Sequence, residues 1–470
     1  MKKRLLLGLL FLSNLLVAQN DTVVFTPLGQ YNYPVWNSTF KPLLNRQGQP
    51  YLYAASKEYG FVTFNISNVN APAPVNTIPT ASFATLKPTY VEQENNFLYV
   101  GLGDFQGADQ IPGLAILDAT VPQSPVIVDQ WDTTAWTHGV SSVLIANGYA
   151  YVCAMEDGLI ILDVSTPGNI QFVSQFLPDT NFGNPPYAPT ARGCSYRNDT
   201  LLLAFDAGGL RMIDVSIKTA PAEIGQYVNT SLTSVANAAY NQVVWIGDYA
   251  YVPVDYCGLE VINVAVPSNM YSMAWNNPWN CIGLSWFGSD GHANQIVYLA
   301  NEQIVMVSGG DAEVLVFDAS NPSQPDIIGW WGPSNDLGGS WGIDVLGNLV
   351  AVGRADNPFN SPFPADTGGV KLLQWQFIMN STELTPQNYS ISLSPNPSEN
   401  VCNVLLPNVR SEKFTIEVCD ISGRILIAKD VNQNETGSTT SIDISTLASG
   451  MYIVTVFTGE IRCSQRLIKQ

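Results

Sequence analysis

Charged residues are scarce in this sequence of 470 residues, of which 13% are Asp, Glu, Lys or Arg, against about a quarter in an average protein. The shortage is greatest for basic residues, since 20 Lys and Arg stand against 39 Asp and Glu and give a net charge of −19. Binding of nucleic-acid phosphates needs clustered Lys and Arg. The composition therefore argues against a nucleic-acid partner.

Sequence motifs of the common enzyme classes are also missing. The chain contains no H-E-x-x-H and no phosphate-binding loop, and its G-x-S-x-G string at Gly338–Gly342 adjoins a predicted strand and forms no strand-to-helix elbow. None of the corresponding enzyme classes is therefore indicated. The seven cysteines include no C-x-x-C pair, which argues against a zinc site. Their odd number leaves at least one thiol without a partner in the chain. Cys257 and Cys281 flank one repeat and are a candidate disulfide, and Cys153 is expected to be a small core residue.

Long hydrophobic runs are missing beyond the N-terminus, where the pattern is that of a signal peptide over residues 1–18. Lys2-Lys3-Arg4 is a positive segment, Leu5–Leu12 is apolar, and Val17-Ala18 resembles a cleavage site. The apolar run is short for a membrane span, although an uncleaved anchor is the alternative. No other segment approaches transmembrane length, so we expect no transmembrane segment after cleavage.

Apolar and turn-forming residues are abundant instead, with 37 Gly, 30 Pro and 46% hydrophobic residues. Residues 149–176 predict three short strands separated by turns, Tyr149–Ala154, Leu159–Val164 and Ile170–Phe176. The core of this unit, G-L-x-h-h-[DN]-h-[ST], recurs about every 50 residues, a period typical of propeller blades. The copies at residues 60–67, 313–320 and 369–375 match this pattern less closely than the other four. The residues at its sixth position are Asn65, Asp118, Asp163, Asp214, Asn263, Asp318 and Gln374.

Seven repeats of this kind predict an all-β fold, a seven-bladed β-propeller with four strands in each blade. The seventh repeat lacks an outer strand, while Thr26–Tyr31 resembles the outer strand Glu223–Tyr227. We therefore expect the N-terminal strand to complete the last blade, which leaves no open sheet edge.

The repeats resemble LVIVD-repeat proteins, a propeller-like family named for text such as Leu159-Ile160-Ile161-Leu162-Asp163. The resemblance covers roughly residues 22–378, and we assign 19–378 to this domain. It implies architecture more than chemistry, because the family has no single established activity. A solenoid of the same repeats is the alternative fold.

After a polar linker at residues 379–390, the segment 391–470 predicts a small Ig-like β-sandwich. Ser394–Pro397 (SPNP), Asp420–Arg424 (DISGR) and Leu447–Tyr452 (LASGMY) follow in order. They resemble the C-terminal sorting domain of the type IX (Por) secretion system. The resemblance implies the type IX secretion machinery as a partner. It also implies a protein secreted or attached to the outer-membrane surface after processing of both ends.

Candidate site residues lie just before the predicted inner strands, on loops that share one face of a propeller. Five of the seven are basic, although the chain has only 20 Lys and Arg and 2 His. Such a set of cations and aromatics suits carboxylates, sulfates or phosphates, with rings that stack on sugars. We call these residues the predicted funnel: Lys41, Lys87, His138, Arg192, Tyr240, His292 and Trp341.

Acidic residues occupy the loops between second and third strands of the same blades. Two interpretations stay open for them: turn chemistry with pairing to the basic residues, or a calcium site, the only cofactor considered. The repeat aspartates Asp118, Asp163, Asp214 and Asp318 are expected to cap turns. The loop acids are Glu58, Asp104, Asp109, Glu156, Asp157, Asp206, Asp255, Asp311 and Asp356.

The sequence favours a non-catalytic binding or adhesion module whose ligand, an anionic glycan or a surface protein, contacts the funnel. One alternative is a propeller hydrolase or lyase acting on an anionic polysaccharide, with His138 as general acid–base. The other is a passive scaffold of a surface complex, for which the basic side chains should be neutralised by neighbouring acids.

Overall fold

The structure, a computed structural model, separates into two compact units, residues 20–379 and a unit that contains 380–470. The residues that it describes are 22–34, 37–104, 111–180, 189–233, 240–279, 291–310, 313–332, 338–356, 365, 367–378, 391–405, 413–420, 425–432, 439–457 and 462–470. The predicted signal peptide, the linker and Cys281 lie outside these ranges.

The first unit consists of seven four-stranded antiparallel sheets, in the residues that the structure describes. Its strands, in chain order, are β1 (Thr22–Asn32), β2 (Lys41–Leu44), β3 (Tyr51–Ala55), β4 (Phe61–Asn65), β5 (Ala73–Ile78), β6 (Pro88–Glu94), β7 (Phe97–Leu102), β8 (Gly113–Asp118), β9 (Val126–Asp132), β10 (Ser142–Ala146), β11 (Tyr149–Cys153), β12 (Leu159–Asp163), β13 (Gln171–Phe176), β14 (Gly193–Arg197), β15 (Thr200–Ala204), β16 (Leu210–Asp214), β17 (Ala222–Tyr227), β18 (Val244–Ile246), β19 (Tyr249–Pro253), β20 (Leu259–Asn263), β21 (Tyr271–Asn276), β22 (Ile296–Leu299), β23 (Ile304–Ser308), β24 (Val314–Asp318), β25 (Ile327–Trp331), β26 (Gly339–Leu346), β27 (Leu349–Ala355) and β28 (Gly369–Ile378).

Six sheets take four consecutive strands each, and the seventh combines β26, β27 and β28 with β1. We number them sheet 1 (β2–β5), sheet 2 (β6–β9), sheet 3 (β10–β13), sheet 4 (β14–β17), sheet 5 (β18–β21), sheet 6 (β22–β25) and sheet 7 (β26–β28 with β1). Helical segments are short: α1 (Thr230–Thr233) and the 3-10 turns Lys57–Tyr59, Thr80–Phe83, Asp206–Gly208, Asp255–Cys257 and Pro267–Asn269.

The strands of sheet 3 show why the repeat folds in this way. Strand β12, which carries the repeat text, is buried at every position but Asp163, because each of its faces packs against a neighbouring sheet. The outer strand β17 of the next repeat alternates exposed and half-buried residues instead. Continuous apolar runs therefore mark the middle strands and alternating ones the outer edge.

The ring is closed by the N-terminal strand, as the sequence predicts. Strand β1 pairs antiparallel with β28 along its length, from Thr22 opposite Ile378 to Asn32 opposite Gly369. The first strands of neighbouring sheets contact one another in succession, and β2 of sheet 1 contacts β26 of sheet 7. This contact excludes the open solenoid, and the seven sheets fit the predicted number of blades.

The hydrophobic core lies in seams between consecutive sheets, not in one central cluster. Tyr151, Cys153 and Leu159 of sheet 3, for example, pack against Leu203 and Phe205 of sheet 4. A further seam joins sheet 7 to sheet 1. Because each sheet is held only by its two neighbours, the axis of the ring is left to polar side chains.

The second unit contains β29 (Ser392–Ser394), β30 (Val401–Leu405), β31 (Lys413–Cys419), β32 (Ile425–Asn432), β33 (Thr439–Asp443), β34 (Gly450–Phe457) and β35 (Arg462–Lys469). A three-stranded sheet, β29-β30-β33, and a four-stranded sheet, β32-β31-β34-β35, enclose one hydrophobic core. Cys402 and Val404 contribute to the core from the first sheet, and Ile416 and Val454 from the second. Two sheets around a shared core fit the predicted β-sandwich.

Candidate functional site

A polar cleft lies on the axis of the ring, between the first strands of the sheets. Its cavity volume is about 30 Å³. Six of the seven sheets contribute to its wall, so its shape depends on the closed ring and not on any single repeat. The lining residues that the structure describes are Tyr90, Ser141, Ser142, Arg192, Asn241, Gln242, Asn294, Gln295 and Trp341.

Two glutamines of this wall join strands of different sheets. The Gln242 side chain donates from Nε2 to the Tyr90 hydroxyl at 3.1 Å and accepts the backbone N–H of Ile296 at 2.9 Å. Gln295 donates from Nε2 to the carbonyl of Phe40 at 3.0 Å and accepts the N–H of Ile343 at 3.3 Å. These bonds fix the amides in place before any ligand arrives.

Arg192 is the charged member of the described lining and is oriented by its neighbours. Its Nε donates to Oδ1 of Asn241 at 3.1 Å, and its Nη1 contacts the sulfur of Met155 at 3.8 Å. Asn241 is itself anchored, because its Nδ2 donates to the carbonyl of Ala293 at 2.8 Å. Asn241 therefore fixes the Nε edge of the guanidinium at the wall of the cleft.

Trp341 supplies the aromatic surface of the cleft. Its ring packs against Phe40, with centroids 4.9 Å apart, and against the imidazole of His292 at 5.2 Å. The indole is half-buried, so one part of the ring is supported by packing while another faces the cleft.

Lys87, a funnel residue, forms ion pairs at the mouth of the ring. Its Nζ lies 2.8 Å from Asp104 and 2.9 Å from Glu58. Partial burial lowers the pKa of Lys87, but the hydrogen bonds to both carboxylates outweigh burial and leave this pKa above its ordinary value. The ammonium group is thus stabilised by acids from sheets 1 and 2.

Both histidines are also matched by acids. Nδ1 of His138 lies 3.3 Å from Oδ2 of Asp157, and its Nε2 lies 3.6 Å from Glu156. Nε2 of His292 lies 2.7 Å from Oδ1 of Asp255. These contacts join the loops before the inner strands to the loops between second and third strands, so the two sets of loops meet.

His292 is itself buried, with 6% exposure, and two more funnel residues are likewise buried and not displayed at the mouth. Lys41 is 6% exposed and donates from Nζ to the carbonyl of Ile343 at 2.9 Å, and burial lowers the pKa of its ammonium group. Tyr240 is 1% exposed and donates to the carboxylate of Glu260, and burial followed by that carboxylate raises its pKa well above the ordinary value. Among the seven predicted residues, Arg192 and Trp341 are the ones that line the cleft.

Most of the predicted acidic loop residues that the structure describes contact basic side chains. Glu58, Asp104, Glu156, Asp157 and Asp255 pair with basic side chains, as the pairing interpretation expects. In the part of the chain that the structure describes, no group of three or more His, Cys, Asp or Glu is arranged to hold a metal ion. Asp109 and Asp311 lie outside the described residues, and the calcium site stays a prediction.

The repeat aspartates cap turns, and this prediction is confirmed. Oδ1 of Asp163 accepts the backbone N–H of Ser165 at 2.9 Å and its hydroxyl at 2.6 Å. Asp118, Asp214 and Asp318 accept the N–H two residues later in the same way. Hydrogen bonds from Ser165 lower the pKa of Asp163.

Sequence reasoning missed the neutral amides of the cleft. Asn241-Gln242 and Asn294-Gln295 each precede two apolar residues, in N-Q-V-V and N-Q-I-V, at the same place in two successive repeats. That recurrence was a usable signal. Neutral amides give a weak signal in a sequence, because Asn and Gln are common in turns and on surfaces, whereas charged and aromatic residues stand out.

Comparisons with known proteins agree with the two-part organisation. The family described as LVIVD repeat matches residues 139–177, 201–229 and 240–274, and the family described as secretion system C-terminal sorting domain matches residues 392–470. The chain therefore carries LVIVD repeats and a type IX sorting domain. No curated protein matches it.

Two solved structures resemble the larger unit at low sequence identity. The computationally designed Ika8 protein is 8% identical, with a TM-score of 0.44 over 74% of this chain and 98% of its own. The Cps50 (Swd1) β-propeller domain of Myceliophteria thermophila is 10% identical, with a TM-score of 0.49 over 75% of this chain and 99% of its own. These scores are too low to carry an argument, so the architecture rests on the sheet topology of the chain itself.

The sorting domain indicates export by type IX secretion, to the cell surface or into the medium. A helix both long and apolar enough to cross a membrane is not found among the described residues. Cys257 is disulfide-bonded. Its predicted partner, Cys281, lies outside the described residues, so this pairing stays a prediction.

Proposed function

We propose that the protein is an exported binding module whose ligand, a short anionic glycan, inserts its anionic group into the axial cleft. The observation that carries the proposal is the composition of the cleft wall. Arg192 and Trp341 are surrounded there by the hydroxyls and amides of neutral residues. The proposal keeps the expected ligand class and moves the site from the mouth of the ring to its axis.

Each kind of lining group suits one part of such a ligand. Side-chain amides and hydroxyls both donate and accept hydrogen bonds, as sugar hydroxyls require. The planar guanidinium of Arg192 matches a carboxylate or sulfate, which it binds through two parallel hydrogen bonds. The ring of Trp341 offers an apolar face to a sugar. The cavity volume of about 30 Å³ has room for about two water molecules, so the cleft takes the anionic group of a sugar and not a whole sugar ring.

Binding is favoured over turnover by the same wall. The described lining residues include no carboxylate and no imidazole, the groups that general acid–base catalysis uses most often. His138 is paired with Asp157 and Glu156 and does not belong to the described lining. A hydrolase or lyase would need its proton-transfer groups at the cleft.

The test compares wild-type full-length protein with Arg192→Ala on an array of uronic-acid, sialylated, sulfated and neutral oligosaccharides. We expect saturable binding to the anionic probes and a loss of roughly tenfold or more in the variant, because a charge-assisted hydrogen bond contributes about 1.5–3 kcal/mol. Arg197→Ala is the matched control. It removes the last residue of β14, the strand that Arg192 directly precedes, and the Arg197 guanidinium lies 3.9 Å from the ring centroid of Trp245.

Two results would overturn the proposal. Equal affinity of wild type and Arg192→Ala would remove the cleft as the recognition site. Release of shortened sugars from any bound probe would replace the binding module with an enzyme.

A passive scaffold is the second candidate, and the charge pairing at the mouth supports it. Lys87, His138 and His292 each contact a carboxylate of the same chain, which is the neutralisation expected of a scaffold. The array distinguishes the two candidates. A folded wild-type protein that binds none of the probes would favour the scaffold.

A further inference from the structure

Two buried cysteines face each other across one seam of the ring. Cys153 is the last residue of β11 in sheet 3, and Cys194 is the second residue of β14 in sheet 4. Their exposed fractions are 0% and 8%, and both belong to the hydrophobic cluster that joins these two sheets. Both are free thiols in the structure.

The two side chains lie in the same hydrophobic cluster between sheets 3 and 4. A hydrogen bond with Cys153, followed by burial, raises the pKa of the Cys194 thiol well above its ordinary value. The backbone holds the strands together at this place. Met155 and Ala191 form a β-bridge, with N–H to carbonyl distances of 3.2 Å and 2.8 Å in the two directions. The contact between the thiols is therefore fixed by the fold.

The compartment favours oxidation of such a pair. The sorting domain indicates export, and disulfides form and persist outside the cytoplasm. The same unit already carries a disulfide at Cys257, so its fold is compatible with oxidised cysteine. Adjacent thiols on neighbouring sheets meet the requirement that a disulfide joins side chains already in contact.

We propose that the exported protein carries a disulfide between Cys153 and Cys194 that cross-links sheets 3 and 4. One S–S bond forms and two S–H bonds break. The two electrons and two protons reduce the disulfide of a thiol–disulfide oxidant of the export compartment to two thiols. The reaction is a thiol–disulfide exchange through a mixed disulfide.

Burial sets the time at which this reaction takes place. An oxidant does not reach side chains enclosed in the seam, and the raised pKa of Cys194 leaves little of the reactive thiolate. The cross-link therefore forms while sheets 3 and 4 are still apart or as they close. Protein that folds under reducing conditions keeps both thiols.

The cross-link lies directly behind one wall of the axial cleft. Cys153 pairs with Ser142 across the sheet, and Arg192 is two residues before Cys194. The Ser141 hydroxyl lies 3.1 Å from the carbonyl of Cys153 and 2.8 Å from that of Arg192. Oxidation thus fixes the positions of three cleft residues relative to one another.

The experiment maps thiols in full-length protein recovered after export and in protein made in a reducing cytoplasm. Each sample is unfolded in an alkylating reagent without reductant, digested and analysed by mass spectrometry. We expect a peptide pair joining Cys153 to Cys194 in the exported wild type and alkylation of both residues in the cytoplasmic sample. In exported Cys194→Ala, Cys153 should be alkylated, whereas Cys419→Ala should keep the cross-linked pair.

Complete alkylation of Cys153 and Cys194 in the exported wild type would overturn the proposal, and this measurement needs no variant to fold. A second measurement follows the cytoplasmic protein in oxidised glutathione. Cys153 and Cys194 should lose their reactivity towards the alkylating reagent at least roughly tenfold faster in urea than in the folded state, because unfolding exposes both thiols and removes the burial that raises the pKa of Cys194. Equal rates in the two states would contradict the account of burial.

Discussion

The mouth of the ring and the wall of the axial cleft handle polar groups in opposite ways. At the mouth, Lys87 and His138 contact carboxylates of the same chain and stay partly exposed to water. In the cleft, the neutral side-chain amides of Gln242 and Gln295 form hydrogen bonds with backbone groups of other sheets, the N–H of Ile296 and the carbonyl of Phe40. The difference teaches that a concentration of charge in the sequence marks where the protein matches itself. The cleft instead presents neutral amides and hydroxyls beside Arg192 and Trp341.

The strongest test of this contrast removes an amide that joins sheets. Gln295→Ala should lower the free energy of unfolding by about 2–4 kcal/mol, because the carbonyl of Phe40 and the N–H of Ile343 lose their partner in a buried place. Urea unfolding of the full chain measures it. Gln175→Ala, on the exposed outer strand β13, is the control and should cost less than about 1 kcal/mol. Similar losses in both variants would mean that the axial amides do not hold the ring.

A smaller effect is expected from the aromatic side of the cleft. Trp341→Ala should weaken binding of an anionic glycan probe roughly fivefold, since an aromatic contact contributes about 1 kcal/mol. Trp330→Ala removes a tryptophan that is 69% exposed on the outer strand β25 and should leave affinity unchanged. Titration calorimetry measures the glycan affinity of both variants. Equal losses of affinity would show that Trp341 has no specific role in ligand binding.

The ion pairs at the mouth should matter still less. Lys87→Met is expected to cost less than about 1 kcal/mol of stability, because part-exposed ion pairs are screened by solvent, and to leave glycan affinity unchanged. The raised pKa of Lys87 means that its contribution is complete below the ordinary lysine value of 10.5. It is lost as pH rises through the higher folded value. The free energy of unfolding of wild type and Lys87→Met, measured at neutral and at strongly alkaline pH, tests this expectation. A large loss of glycan affinity in Lys87→Met would show that the mouth of the ring belongs to the ligand site.

The smallest effect is expected at a turn distant from both regions. Asp163→Asn should leave stability near neutral pH unchanged, because Asn65 and Asn263 accept the same turn bond at 2.8 Å and 3.2 Å in other repeats. The lowered pKa of Asp163 implies a contribution present above the ordinary value of 3.8 and lost as pH falls through the lower folded value. The variant should therefore lose less stability in acid than wild type. Melting temperatures of wild type and Asp163→Asn, measured from neutral pH to below 3.8, test this expectation. An equal loss of stability in acid in the two proteins would contradict the role of Asp163.

The sequence predicted the architecture well because strand periodicity and turn chemistry are local properties. The run from Leu159 to Asp163 and the N-terminal strand both fold as expected. The site was harder to predict, since the position of a residue before a strand does not tell where its side chain ends. Lys41 and Tyr240 occupy the same repeat position as Arg192, yet they are buried against Ile343 and Glu260. Ile343 is 302 residues from Lys41. Glu260 is only 20 residues from Tyr240, but it lies on β20, a strand of the sheet that Tyr240 precedes. The residues next to Lys41 and Tyr240 in the sequence therefore do not identify either partner.

The pairing of β1 with β28 has a consequence for the order of events during biosynthesis. The strand made first finds its partner only when the last strand of the ring has been made, so β1 waits unpaired through the synthesis of all the sheets between them. Until then the growing chain is an open arc that leaves an apolar sheet face uncovered at each end and β1 unpaired. Closure is thus a single late event for the whole ring. A chain delayed before that event is exposed to self-association through these faces and through β1, however well its individual sheets have formed.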